Sequence, residues 1–115
     1  MLTQRRAALL AAGSGAALHE VEVPGSPAHE ADSRLVAQLG QDRVVGLEVT
    51  VTGVERLPPD VPDEERVRVT STTTPYERIG PDGARRPGGG AATSTVVLVL
   101  RWTESGWRVW DVMAA

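Results

Sequence analysis

The 115-residue chain contains no cysteine, no phenylalanine, no lysine and no asparagine. Without cysteine there is no disulfide, no thiolate metal ligand and no sulfur nucleophile, and the redox compartment is left open. Without lysine there is no Schiff-base amine and no phosphate-loop lysine. All twelve basic residues are arginine, a bias that fits a GC-rich genome. The net charge of −3 argues against a nucleic-acid protein, which would carry a basic face. No stretch approaches the ~18 consecutive apolar residues of a membrane span.

Aromatic residues are equally scarce: one tyrosine and three tryptophans. All three tryptophans fall in the segment Thr93 to Met113, which reads as two strands joined by the polar turn Thr103-Glu104-Ser105-Gly106. A ribbon this apolar has to be covered, so a curved sheet with helices packed against it is expected. The length fits one domain spanning residues 1–115, with helices over about 2–40 and sheet over about 43–113.

The N-terminal half supplies the helices. Arg5-Arg6 before an apolar run can mimic a secretion signal, but the run is short and Gly13-Ser14-Gly15 interrupts it. An amphipathic helix over 2–12, with Leu2, Ala8, Leu9 and Ala12 on one stripe, is the preferred reading. Residues 15–21 allow one or two helical turns, and Pro24-Gly25 marks a turn. Ser26 then caps a helix with Pro27 at its first position and Glu30 in its first turn. Leu35, Val36 and Leu39 form its expected buried stripe, and Gly40 stops it.

From Arg43 the composition turns to β-branched residues. Val45, Leu47, Val49 and Val51 alternate with small or polar residues, which predicts one continuous half-buried strand broken by Pro58-Pro59. Residues 66–73 form a second, with Val67 and Val69 inward and Arg66 and Arg68 outward. Tyr76 to Gly90 reads as a flexible connection or an exposed hairpin tip. Helices first and an antiparallel meander after give an α+β layer architecture.

The segments Arg5-Arg6-Ala7-Ala8, Val21-Glu22-Val23-Pro24-Gly25-Ser26-Pro27-Ala28, Leu47 to Leu57, Val97-Leu98-Val99-Leu100-Arg101 and Gly106-Trp107-Arg108-Val109 carry a resemblance that spans nearly the whole chain. In these the chain resembles the nuclear-transport-factor-2-like (SnoaL-like) cone-fold superfamily, and within it small actinobacterial domains. The resemblance implies helices folded over a strongly curved antiparallel sheet, with an apolar pocket open at one end. Similar domains often follow a membrane helix or a proline-rich segment outside the cytoplasmic membrane. Localisation is therefore left open, with cytoplasmic the expectation for the chain as written and cell-envelope or secreted the expectation if an upstream segment precedes it.

Strict strand parity puts Trp107, Val109, Asp111 and Met113 on one side, with Arg108, Trp110 and Val112 on the other. Leu98, Leu100 and Trp102 likewise lie opposite Val97, Val99 and Arg101. The expected pocket residues are Trp107, Val109, Asp111 and Trp102, with Tyr76 at the mouth. Trp110, Val97 and Val99 would form an apolar patch for a homodimer; ordinary sheet packing explains the tryptophans as well.

Asp111 is the weak catalytic candidate, since a carboxylate in an apolar pocket has a raised pKa and can act as a general base. The bland alternative is a salt bridge to Arg101 or Arg108. His19 and His29 lack the further ligands a metal site needs, and His29 reads as solvated. Ser14 and Ser26 lack a nucleophile-elbow context. Gly88-Gly89-Gly90 lacks the lysine of a phosphate loop and reads as a turn.

By subtraction the sequence favours a non-enzymatic small-ligand-binding or protein-interaction module, with no cofactor and no metal. A hydrophobic small molecule is the expected ligand. The alternative is a small isomerase, cyclase or epoxide hydrolase with Asp111 and either Tyr76 or Arg101 in its site.

Overall fold

The computed structural model describes residues 2–13 and 15–115. Met1 and Ser14, the latter set aside above as a nucleophile, lie outside the described residues. Helix α1 (Leu2–Ala11) is followed by a short 3-10 helix (Gly15–Glu20) and helix α2 (Pro27–Leu39). Seven strands follow: β1 (Arg43–Val45), β2 (Val49–Leu57), β3 (Glu64–Thr73), β4 (Tyr76–Ile79), β5 (Arg85–Gly89), β6 (Ala92–Thr103) and β7 (Gly106–Ala114). They form an antiparallel four-stranded sheet, β2-β3-β6-β7, and a second three-stranded one, β1-β4-β5. The α+β class expected from the sequence is what the chain adopts.

Helix α2 starts where its cap residues demand. Ser26 is extended and its hydroxyl accepts the His29 N–H, Pro27 opens the helix, and Gly40 closes it at a φ of 62°. The expected stripes are only partly inward. In α2 the buried residues are Ala28 and Asp32, while Leu35 is 51% exposed. In α1 the buried residue is Leu9, which packs with Leu18 and Val21, with Leu2, Leu10 and Val36 against that cluster; Ala8 and Ala12 are exposed.

The strand expected to run unbroken through residues 45–51 is divided between two sheets. Gly46 turns the chain at a φ of 82°, a conformation that favours glycine. Thr74 fixes the fork: its hydroxyl donates to the Gly46 carbonyl (2.6 Å) and accepts from the Glu48 N–H (2.8 Å). Of the two readings of Tyr76 to Gly90, the hairpin is the one adopted, as strands β4 and β5 and the turn between them. Pro87 and the glycines are tolerated there because β5 is an edge strand.

In the β6–β7 ribbon the register slips between Val99↔Asp111 and Leu100↔Val109, leaving Trp110 as the extra residue of a β-bulge. The bulge ends the strict alternation. Trp107, Val109 and Val112 share the face of Leu98, Leu100 and Trp102, whereas Asp111 and Met113 pair with Val99 and Val97 on the opposite face. The bulge lies beside the only residue of β7 bridged along its outer edge, among the described residues: Val109 donates to the Val21 carbonyl (2.7 Å) and accepts from the Val23 N–H (2.9 Å).

Candidate functional site

Two features converge on α2. The first is a buried charge cluster between α1, the Val21–Val23 strap and the first turns of α2. The strap leaves the 3-10 helix with Val21 in the apolar core, and the next residue, Glu22, is fully buried. Asp32 reaches the same place from α2 and is 1% exposed. Arg6 projects from α1 and grips Asp32 with two hydrogen bonds, Nε to Oδ2 (2.5 Å) and Nη2 to Oδ1 (2.7 Å). Its Nε is 3.5 Å from Glu22 Oε2, and His29 Nδ1 is 3.8 Å from Glu22 Oε1.

One guanidinium thus faces two carboxyl groups and is committed to one of them. Neither Glu22 oxygen accepts a hydrogen bond among the described residues. Burial, then the neighbouring Asp32 carboxylate, raise the Glu22 pKa to about 8, so at neutral pH Glu22 carries a proton that it can donate to Asp32. Asp32 goes the other way. Burial opposes its ionisation, but hydrogen bonds from Arg6 and Glu22 outweigh that and lower its pKa.

The second feature is a cavity of about 560 Å³ between the ends of both helices and the small sheet. Leu10, Leu35, Val36, Val44 and Leu47 are among its apolar lining, and Tyr76, Gln38 and Arg78 bring polar atoms to it. Tyr76 is seated by the glycine run. Its ring lies against the backbone of Gly88 and Gly89, where a Cβ would collide with it. The run therefore serves as a bed for an aromatic ring and not as a turn. A smaller cavity of about 240 Å³ adjoins it between α1 and the large sheet, bounded by Arg6, Leu10, Leu98, Val109 and Val112.

The residues singled out from sequence are brought together only in part. Tyr76 lines the larger cavity and Val109 the smaller. Trp102 and Trp107 pair edge-to-face at the far end of the ribbon, ring centroids 5.4 Å apart, and neither lines a described cavity. Asp111 is on the sheet face opposite both cavities, and its Oδ1 accepts the neighbouring Val112 N–H (2.8 Å). The proposed apolar dimer patch is replaced by charge. Val99 is 3% exposed within the single chain, Val97 is half-buried, and Trp110 lies under the Arg101 guanidinium at 4.0 Å from its ring centre.

That same face carries Glu64, to which Asp60 N–H (3.0 Å) and Arg66 Nε (3.3 Å) donate. The Asp60 N–H, working against burial and aided by Arg66 and Arg101, lowers its pKa.

His29 is half-buried beside Glu22 instead of solvated. Among the described residues no group of three or more histidine, aspartate or glutamate side chains is placed to hold a metal ion. No helix among them is long and apolar enough to cross a membrane. Sequence reading missed Arg6, Glu22 and Asp32 as a unit. The available signal was a glutamate set between two valines, Val21 and Val23, directly before a helix cap.

No protein-family model matches the chain, and no curated protein matches it. Solved structures do. The chain is similar to the intermembrane space region of the chloroplast protein ARC6, with a TM-score of 0.66 at 14% identity, over 97% of this chain and 88% of that one. At that identity the likeness speaks to the fold alone.

Proposed function

We propose that the protein is a non-enzymatic binding module whose larger cavity holds a small apolar ligand. In this reading the chain is a cone of the nuclear-transport-factor-2-like kind, with helices over a curved sheet and a pocket between them. The observation that supports it most is the cavity of about 560 Å³ walled by Leu10, Leu35, Val36, Val44 and Leu47, a volume within the range of about 300–1,000 Å³ typical of small-molecule sites. Leu35 adds to this: a large apolar side chain on a helix face, 51% exposed, at a concave surface.

An isomerase or hydrolase needs an acid or base at the cavity wall. Among the described residues the titratable groups lining the larger cavity are Tyr76 and Arg78. The perturbed carboxyl groups, Glu22, Asp32 and Glu64, line neither cavity. Catalysis therefore has less support than binding.

Titration with the neutral apolar dye N-phenyl-naphthylamine tests the proposal. A single saturable site is expected, and Leu35→Glu, which places a carboxylate against the apolar wall, should weaken it about tenfold or more while leaving the circular dichroism spectrum unchanged. Equal dye affinity in the two proteins would refute the assignment of this cavity.

A further inference from the structure

We infer that the larger cavity selects an amphiphilic monoanion, an apolar chain ending in a carboxylate, with the head group held at Arg78. The inference rests on the binding reading above and names its ligand class. Arg78 is the charged residue among the described residues lining the cavity. It sits mid-strand in β4, paired on one side with Val44 and on the other directly with Arg86. Two arginines opposite one another in a sheet repel, so something anionic has to lie between them.

Asp42 supplies only part of it. Arg78 Nη2 (2.8 Å) and Arg86 Nη2 (2.5 Å) both converge on the same oxygen, Asp42 Oδ2. The trio keeps one positive charge in excess. Arg43, next in the chain, adds another cation whose Nη1 rests on the Gly40 and Asp42 carbonyls. Arg78 Nε is buried and has no hydrogen-bond partner among the described residues. Glu77 is the other acid on these strands, and it pairs with Arg85 at 3.5 Å.

The cavity thus has an apolar end on the helices and a cationic end on the small sheet. A single carboxylate at Arg78 offsets the one charge in excess in the Arg78, Arg86 and Asp42 trio, and the ligand's chain covers Leu10, Leu35, Val36 and Val44. A cationic amphiphile meets the wrong sign. A neutral alcohol of the same length gains only the apolar contact.

Isothermal titration of the wild-type chain with octanoate, octanol and octylammonium at neutral pH separates these cases. Octanoate is expected to bind about tenfold tighter than octanol, the worth of a charge-assisted hydrogen bond, and octylammonium weaker than both. Octanol binding as tightly as octanoate overturns the anion assignment and leaves the apolar-site reading standing. No binding by any of the three overturns both.

Arg78→Met keeps the apolar stem and removes the guanidinium. It should abolish the preference for octanoate while octanol still binds, and a preference that survives this change overturns the role of Arg78. Should that variant fail to fold, the wild-type order of the three probes still decides the matter.

Discussion

Helix α2 presents opposite characters at its two ends. Its first turns bury Asp32 against Arg6 and Glu22, while its last turns leave Leu35 half in solvent beside an open cavity. Charge lies inside and hydrocarbon outside, the reverse of the usual arrangement. The contrast separates two demands on one element. The buried ions fix α1, the strap and α2 in one arrangement, because a guanidinium gripping a carboxylate tolerates little displacement. The apolar turn is left uncovered and so remains available to a ligand. Rigidity comes from the polar end and binding capacity from the greasy one.

The contrast breaks most severely at Arg6. Arg6→Met leaves Asp32 and Glu22 buried with no guanidinium, and a loss of about 3–5 kcal/mol of unfolding free energy is expected in urea denaturation at neutral pH. A loss under about 1 kcal/mol would mean that the cluster does not hold the helices.

Next in size is the Glu22 proton. Its folded pKa of about 8 lies above the ordinary glutamate value of 4.5, so the folded state binds the proton more tightly than the unfolded chain. Stability from this group is complete below about 4.5 and is lost as pH rises toward and past 8. Asp32 has the opposite sign, its lowered pKa removing stability only as pH falls below 3.8. Glu22→Gln keeps the shape and a donor without the titration. Its unfolding midpoint should stay level between mildly acidic and mildly alkaline pH while the wild-type midpoint falls. The variant should be more stable than wild type above pH 8 by on the order of 2–4 kcal/mol, at about 1.4 kcal/mol per pKa unit. Parallel pH curves for the two proteins would contradict this.

Gly88→Ala tests the seat of Tyr76. The added methyl forces the ring off β5 at a cost of about 1–3 kcal/mol and disturbs the cavity wall, which dye titration would detect. The smallest effect belongs to the outer turn of α2. Leu35→Glu should change stability by no more than about 0.5 kcal/mol, in contrast to its large effect on binding.

Local signals made much of this fold readable. Ser26, Pro27 and Gly40 bounded α2 through backbone chemistry that needs no tertiary partner. The β6–β7 ribbon followed from its β-branched runs on either side of a short polar turn. What escaped depended on distant partners. The bulge at Trp110 has no composition of its own, and it moved Asp111 to the far face. The β4–β5 hairpin was one of two readings of its segment, because Gly88 and Gly89, which seat the ring of Tyr76, look in sequence like Gly83, which bends the chain. The Leu35, Val36 and Leu39 stripe was visible, but periodicity cannot tell a filled core from an open cavity. Glu22 was not singled out, because its role depends on Arg6 and Asp32, which are distant in sequence.

The two backbone bonds that Val109 exchanges with Val21 and Val23 join the early part of the chain to its final strand. On a ribosome the strap and both helices emerge long before β7 exists, and until then the strap has no edge to dock on. Completing the last hairpin therefore supplies the edge on which the strap docks, and attachment of the N-terminal layer to the sheet there waits on the synthesis of its most distant partner.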